Sequence, residues 1–161
     1  MSEQIDQIDE FTRYAVKEVF KSMVSMEVRA EPPSPLTADP EGEIMGSVGF
    51  IGEANGVIYV RAGIGFARTI TSRILGISES EVGSGEMLTD AIGELSNMVV
   101  GYVKSRLCDG GFSCVLTVPS VVQGHELKVQ VPSQVTRRTI GFHHGRNHLL
   151  AELLLKDPNA K

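Results

Sequence analysis

Tryptophan is absent and aromatic residues make up only 6% of the 161-residue chain, so any core must be built mainly from aliphatic side chains. The two cysteines, Cys108 and Cys114, are too few for a disulfide framework and lack zinc-site spacing. They read as ordinary thiols of a reducing compartment. No apolar run approaches the roughly eighteen residues that a membrane helix needs. The opening Met1-Ser2-Glu3-Gln4 is polar and acidic, so no signal peptide is expected either and the expected location is the cytoplasm. There is no basic run, and the formal charge is −5. Phosphate contacts dominate nucleic-acid affinity, so nucleic acid is not an expected partner. The acidic excess is uneven: residues 1–60 carry a net −7 and residues 61–161 a net +2. Such a protein can still dock on a basic protein surface, where charge mainly speeds encounter.

What is present fits one compact domain, with 42% hydrophobic and 22% charged residues. Residues 5–28 place Ile5, Ile8, Phe11, Ala15, Val19, Phe20 and Met23 at helical spacing, behind an acidic first turn. Pro32, Pro33, Pro35 and Pro40 then mark residues 30–43 as a linker or extended arm, which would leave the first helix somewhat independent. The division expected is residues 1–43, helix plus linker, and residues 44–161, the main body. Residues 45–52 and 56–62 read as a hairpin around Glu53-Ala54-Asn55. Residues 63–75 read as a helix closed by Gly76, 77–85 as a polar loop, and 86–107 as the second long helix. Strands are expected at 112–118, 126–131, 134–143 and 148–155, the last two as a possible hairpin. The fold class is α+β: a mostly antiparallel sheet with two long helices and one shorter helix packed on one face.

The segment 86–107 breaks its own local rules. At roughly 100° per residue, Leu88, Ala91, Ile92, Leu95, Val99, Tyr102 and Val103 gather on one stripe, the core face. Opposite lie Asp90, Gly93, Glu94, Asn97, Gly101 and Lys104. Two mid-helix glycines cost about 1 kcal/mol each against alanine, and asparagine somewhat over half that. A solvent face selected for stability alone would carry Ala, Glu, Lys or Gln. Gly93 and Gly101 stand four residues either side of Asn97 and strip its flanks, so another protein surface can approach it. Glu94 is one turn from Asn97 on the same face. Helix glycines also serve close helix packing, and exposed asparagines are commonplace, so the pattern alone is balanced between a site and ordinary structure.

Asp90-x3-Glu94-x2-Asn97 within Glu-Leu-Ser-Asn-Met-Val-Val-Gly, followed by Pro119, resembles the signature of the CheC/CheX/FliY phosphatases of bacterial chemotaxis. Residues 45–52 and 56–59 resemble the first hairpin of CheX domains, and the similarity runs from residue 44 to about 155. The motif occurs once, since the first helix offers Glu18-Val-Phe-Lys21 with lysine at the asparagine position, and a single copy points to CheX. The resemblance implies hydrolysis of the aspartyl phosphate on a CheY-like response regulator. Asn97 would hold a water in line for attack, and Glu94 would pair with the regulator's lysine. Asp90, Gly93 and Gly101 would serve partner binding, with Asp90 alternatively capping or orienting Glu94. The magnesium would belong to the regulator's pocket, and no cofactor or metal is expected in this chain. A homodimer through the sheets is also implied, with residues 149–155 supplying an apolar edge. The competing reading is a non-catalytic module that docks on a receiver domain or flagellar component without turnover.

Other chemistry is weaker. His143, His144 and His148 flank a hairpin turn, where neighbouring side chains point to opposite faces, and no further ligand stands close in sequence. His125 is isolated. Gly63-Ile-Gly65-Phe-Ala-Arg68 has arginine in place of the third glycine of a dinucleotide turn. Ser84 and Ser96 lack the Gly-x-Ser-x-Gly elbow of a serine nucleophile.

Overall fold

The computed structural model describes residues 3–158. Helix α1 (Glu3–Val19) runs on into one wider π-helical turn, Phe20–Val24, and stops at Ser25 in the left-handed conformation (φ 55°). The helix is therefore shorter than its periodicity suggests, because Met26 and Val28 turn back into the core. Strand β1 (Arg29–Glu31) follows, then β2 (Glu43–Gly52) and β3 (Gly56–Gly63) as the expected hairpin. Helix α2 (Ile64–Leu75) ends on Gly76 at φ 69°, where a side chain would be strained. Helix α3 spans Glu86–Asp109. The chain closes with β4 (Cys114–Leu116), β5 (Ser120–Gly124), β6 (Val135–His144) and β7 (Asn147–Lys156).

All pairings are antiparallel, in the order β1-β6-β7-β3-β2-β4, with β5 also on the outer edge of β2. One sheet face carries Ile44, Val48, Phe50, Ile58, Val60, Ile140, Phe142, Leu149, Ala151, Leu153 and Leu155, all buried among the helices. The three helices lie on that face. The α1 residues Ile5, Ile8, Ala15, Val16 and Phe20 are buried in this core, so the first helix is an integral part of the body rather than independent of it.

Several expected strands moved. Residues 126–131 form no strand, although Leu127, Val129 and Val131 are half-buried while Glu126, Lys128 and Gln130 are exposed. Their alternation is that of an extended segment, but the free edge of β2 is already taken by Ser120–Gly124, a strand not foreseen because it is short and mostly exposed. Strand β7 lies between β6 and β3, so residues 149–155 are interior and supply no free edge.

The opposite sheet face holds an ionic cluster. Arg61 donates to Glu152 Oε1 at 2.9 Å, to Glu43 Oε1 at 2.5 Å and to the Leu127 carbonyl at 2.7 Å. Arg137 adds a 2.9 Å bond to the same Glu152 oxygen. Glu152 is 2% exposed, and a buried charge needs this degree of pairing. The linker is tied down too: Asp39 Oδ2 accepts from the Gly65 N–H at 2.9 Å, capping α2 from 26 residues upstream.

Candidate functional site

Helix α3 packs between β2 and α1, with Leu88, Ile92, Leu95, Ser96, Val99, Val100 and Val103 all buried and Ile92 and Ser96 against Gly46 of β2. Ser96 is fully buried, its hydroxyl donating back to the Ile92 carbonyl at 2.8 Å. That seating turns the opposite arc outward. Asp90 and Glu94 are exposed and Asn97 is half-exposed. Among the described residues, none of these three side chains has a hydrogen bond or ion pair within the chain. Asp90 neither caps nor contacts Glu94, so the polar groups of this arc stand free for a partner. A β-carbon on Gly101 would meet nothing within 4 Å, so the helix is cleared beside Asn97.

Gly93 differs from the expectation. It is buried, and a β-carbon there would stand 3.4 Å from Val121 Cγ2 and 3.9 Å from Pro119 Cβ. Its missing side chain makes room for β5 and the bend before it, not for a solvent-facing groove. The helical wheel could not anticipate a strand along that flank, because β5 was not foreseen. The same contact brings Pro119, 22 positions beyond Asn97 in the chain, to within a turn of it. The bend arises where β4 leaves β2: the Thr117 N–H donates to the Gly49 carbonyl at 2.9 Å, and the Gly49 N–H donates to Thr117 Oγ1 at 2.8 Å. Val118 and Pro119 then stand out as an exposed wall beside α3, where the motif had given Pro119 a place in the chain but not in space.

The remaining candidates fall away from this face. His148 Nδ1 lies 2.7 Å from Glu31 Oε1 and His144 Nδ1 lies 2.8 Å from the Glu27 carbonyl, so both histidines anchor the β1 region. Among the described residues no group of three or more His, Cys, Asp or Glu side chains could hold a metal. Burial, with help from the neighbouring Cys108, pushes the Cys114 thiol up, which suits a packing residue better than a nucleophile. Five surface cavities of about 180 to 490 Å³ are lined by residues other than Asp90, Glu94 and Asn97. No helix among the described residues is long and apolar enough to cross a membrane.

Glu94 and Asn97 thus stand one turn apart on an open helix face beside Gly101, a carboxylate and a carboxamide presented outward. The chain matches the family model described as chemotaxis phosphatase CheX over residues 44–143 and belongs to that family. Solved structures share the fold. A chemotaxis protein CheX from Vibrio vulnificus is 24% identical with TM-score 0.80, covering 92% of this chain and 96% of its own. A CheC-like superfamily protein from Shewanella sp. PV-4 is 24% identical with TM-score 0.80, covering 98% and 100%. CheX from Borrelia burgdorferi, solved as a CheX-CheY-BeF3-Mg complex, is 19% identical with TM-score 0.77, covering 92% and 97%. No curated protein matches the chain significantly.

Proposed function

We propose that this phosphatase hydrolyses the aspartyl phosphate of a CheY-like response regulator, with Asn97 and Glu94 of α3 as the working pair. The observation that carries the reading is their placement: one helical turn apart, free of partners within the chain, on a face that Gly101 leaves open. Water attacks phosphorus, the bond between phosphorus and the aspartyl oxygen breaks, and inorganic phosphate leaves a regenerated carboxylate. The carboxamide of Asn97 has both a donor and an acceptor, so it can hold that water in line with the leaving oxygen. Phosphoryl transfer asks mainly for positioning and charge stabilisation, which is why no nucleophile is required of this chain. Glu94 pairs with a lysine of the receiver and fixes the register of docking. Asp90, one turn before Glu94, adds a second carboxylate to the contact.

The magnesium of the reaction is assigned to the receiver's own acidic pocket, where it neutralises charge on the phosphoryl group. A cytoplasmic location and a homodimer complete the proposal. The dimer is supported by exposed Ile51 (58%) and its cross-strand neighbour Val115 (64%) on the sheet face away from the helices. Light scattering of the purified chain reads that association directly.

The deciding experiment is phosphate release from a phosphorylated, magnesium-loaded CheY-like receiver, with wild type and Asn97→Ala compared. Acceleration that disappears in a folded variant still able to bind supports the phosphatase. If the variant accelerates as well as wild type, Asn97 does not position the water. If wild type binds receivers without accelerating release, the protein is a docking module.

A further inference from the structure

The polar pair on α3 does not stand alone on its surface. Met87 is 41% exposed and Met98 45% exposed, large fractions for apolar side chains on a helix so well seated. At about 100° per residue, both fall on the border of the arc beyond Glu94, eleven residues and three turns apart. The opposite border, beyond Asn97, is the wall before β5, where Val118 is 85% exposed, the most exposed of the large apolar side chains among the described residues. Glu94, Asn97 and Gly101 therefore lie in a polar lane between a methionine ridge and a valine-proline wall.

We propose that Met87, Met98 and Val118 are specificity-determining residues, an apolar rim that seats against the receiver around its phosphorylated pocket. The inference rests on the reading of α3 as the face presented to a response regulator. Three features point to that occupant and not to another part of this chain. The rim is continuous with the Glu94–Asn97 lane. The arc bears Glu86, Asp90 and Glu94 and no cation before Lys104, so the receiver lysine assigned to Glu94 would meet opposite charge there. The apolar residues are placed so that a surface large enough to touch both borders also covers the pair between them, excluding water from the site except the one Asn97 holds. Methionine suits such a role because its unbranched, polarizable side chain adapts to the surface opposite. The rim sets affinity and the choice of receiver, while Asn97 sets the rate.

The test uses Met98→Ser, Val118→Ser and the double variant, with Val122→Ser on the far sheet face as control. Phosphate release from a phosphorylated, magnesium-loaded CheY-like receiver gives KM and kcat. The same receiver held with beryllium fluoride gives Kd without turnover. Each rim variant is expected to raise KM and Kd by about tenfold, the effect of losing roughly half the burial of one such side chain, with kcat within about twofold. Val122→Ser should change neither. Unchanged KM and Kd in the double variant, beside an active wild type, overturn the rim and leave the phosphatase reading standing. A fall in kcat at constant Kd also overturns it, because the residues would then act on the chemistry. A wild type that binds without turnover still reports on the rim through Kd, and weaker binding by the variants upholds it. A wild type that neither binds nor turns over removes both readings together.

Discussion

Gly46 of β2 and Ser96 of α3 meet with no space for a side chain between them: a β-carbon on Gly46 would overlap Ser96 Oγ and stand 3.2 Å from Ile92 Cγ2. Ser96 is the residue before Asn97, so this contact sets how closely the working helix lies on the sheet. Gly46→Ala forces α3 outward. The expected cost is about 1–3 kcal/mol, the usual range for overpacking a dense core, with a fall in kcat that exceeds any change in receiver affinity. Denaturant melts and steady-state kinetics on the same sample check both.

Gly101→Ala is expected to separate stability from function. The position is mid-helix and open, so alanine should stabilise the fold by about 0.5–1 kcal/mol. The added methyl would stand in the proposed path of the receiver, and kcat/KM is expected to fall by about tenfold or more. A variant that is both more stable and fully active would show that the receiver does not come close to the helix there.

Asp39 holds the proline-rich segment against α2. Its Oδ2 takes the Gly65 N–H, and Oδ1 takes the Glu41 N–H at 2.8 Å. Asp39→Ala is expected to cost about 1 kcal/mol, and Asp39→Asn much less, because asparagine caps nearly as well. If both variants melt as wild type does, the cap contributes nothing.

Beside that cap, Arg68 grips Glu41 through two bonds of 2.7 and 3.0 Å, which hold its carboxyl below the ordinary value of 4.5. A depressed carboxyl contributes stability above its unfolded value and loses it as pH falls through the folded one. Stability should therefore decline on the acid side of about 4.5, and Glu41→Gln should flatten that part of the curve. Both groups face solvent, so added salt should shrink the difference.

The ionic cluster behind the sheet predicts the opposite pattern to the α3 variants. Removing one partner of a buried pair leaves a charge without compensation, and Arg61→Met is expected to cost about 3–5 kcal/mol. Phosphate release per folded molecule should not change, because the cluster lies across the sheet from α3. A loss of kcat in the remaining folded protein would mean that the two faces are coupled.

The working helix was legible because its message is periodic: Leu88, Ile92, Leu95 and Val99 must face a core, so Asp90, Glu94 and Asn97 must face away. The β2–β3 and β6–β7 hairpins were legible for a related reason, since local turn residues and alternation decide them. Which strand pairs with the free edge of β2 depends on hydrogen bonds between segments more than seventy residues apart, and local alternation favoured 126–131 over the true Ser120–Gly124. Gly93 was misplaced for the same reason, because only the position of β5 shows that its missing side chain is filled by Val121. By itself the sequence determined the long helix and its outward acid–amide arc, through spacing along one segment, and the α+β class, through the order of helical and strand patterns along the chain. The tertiary structure alone decided the wall at Val118 and Pro119, the seating of Ser96 on Gly46 and the tying of the first helix into the core. Those depend on close packing between distant segments, which steric contact settles only once the chain is folded.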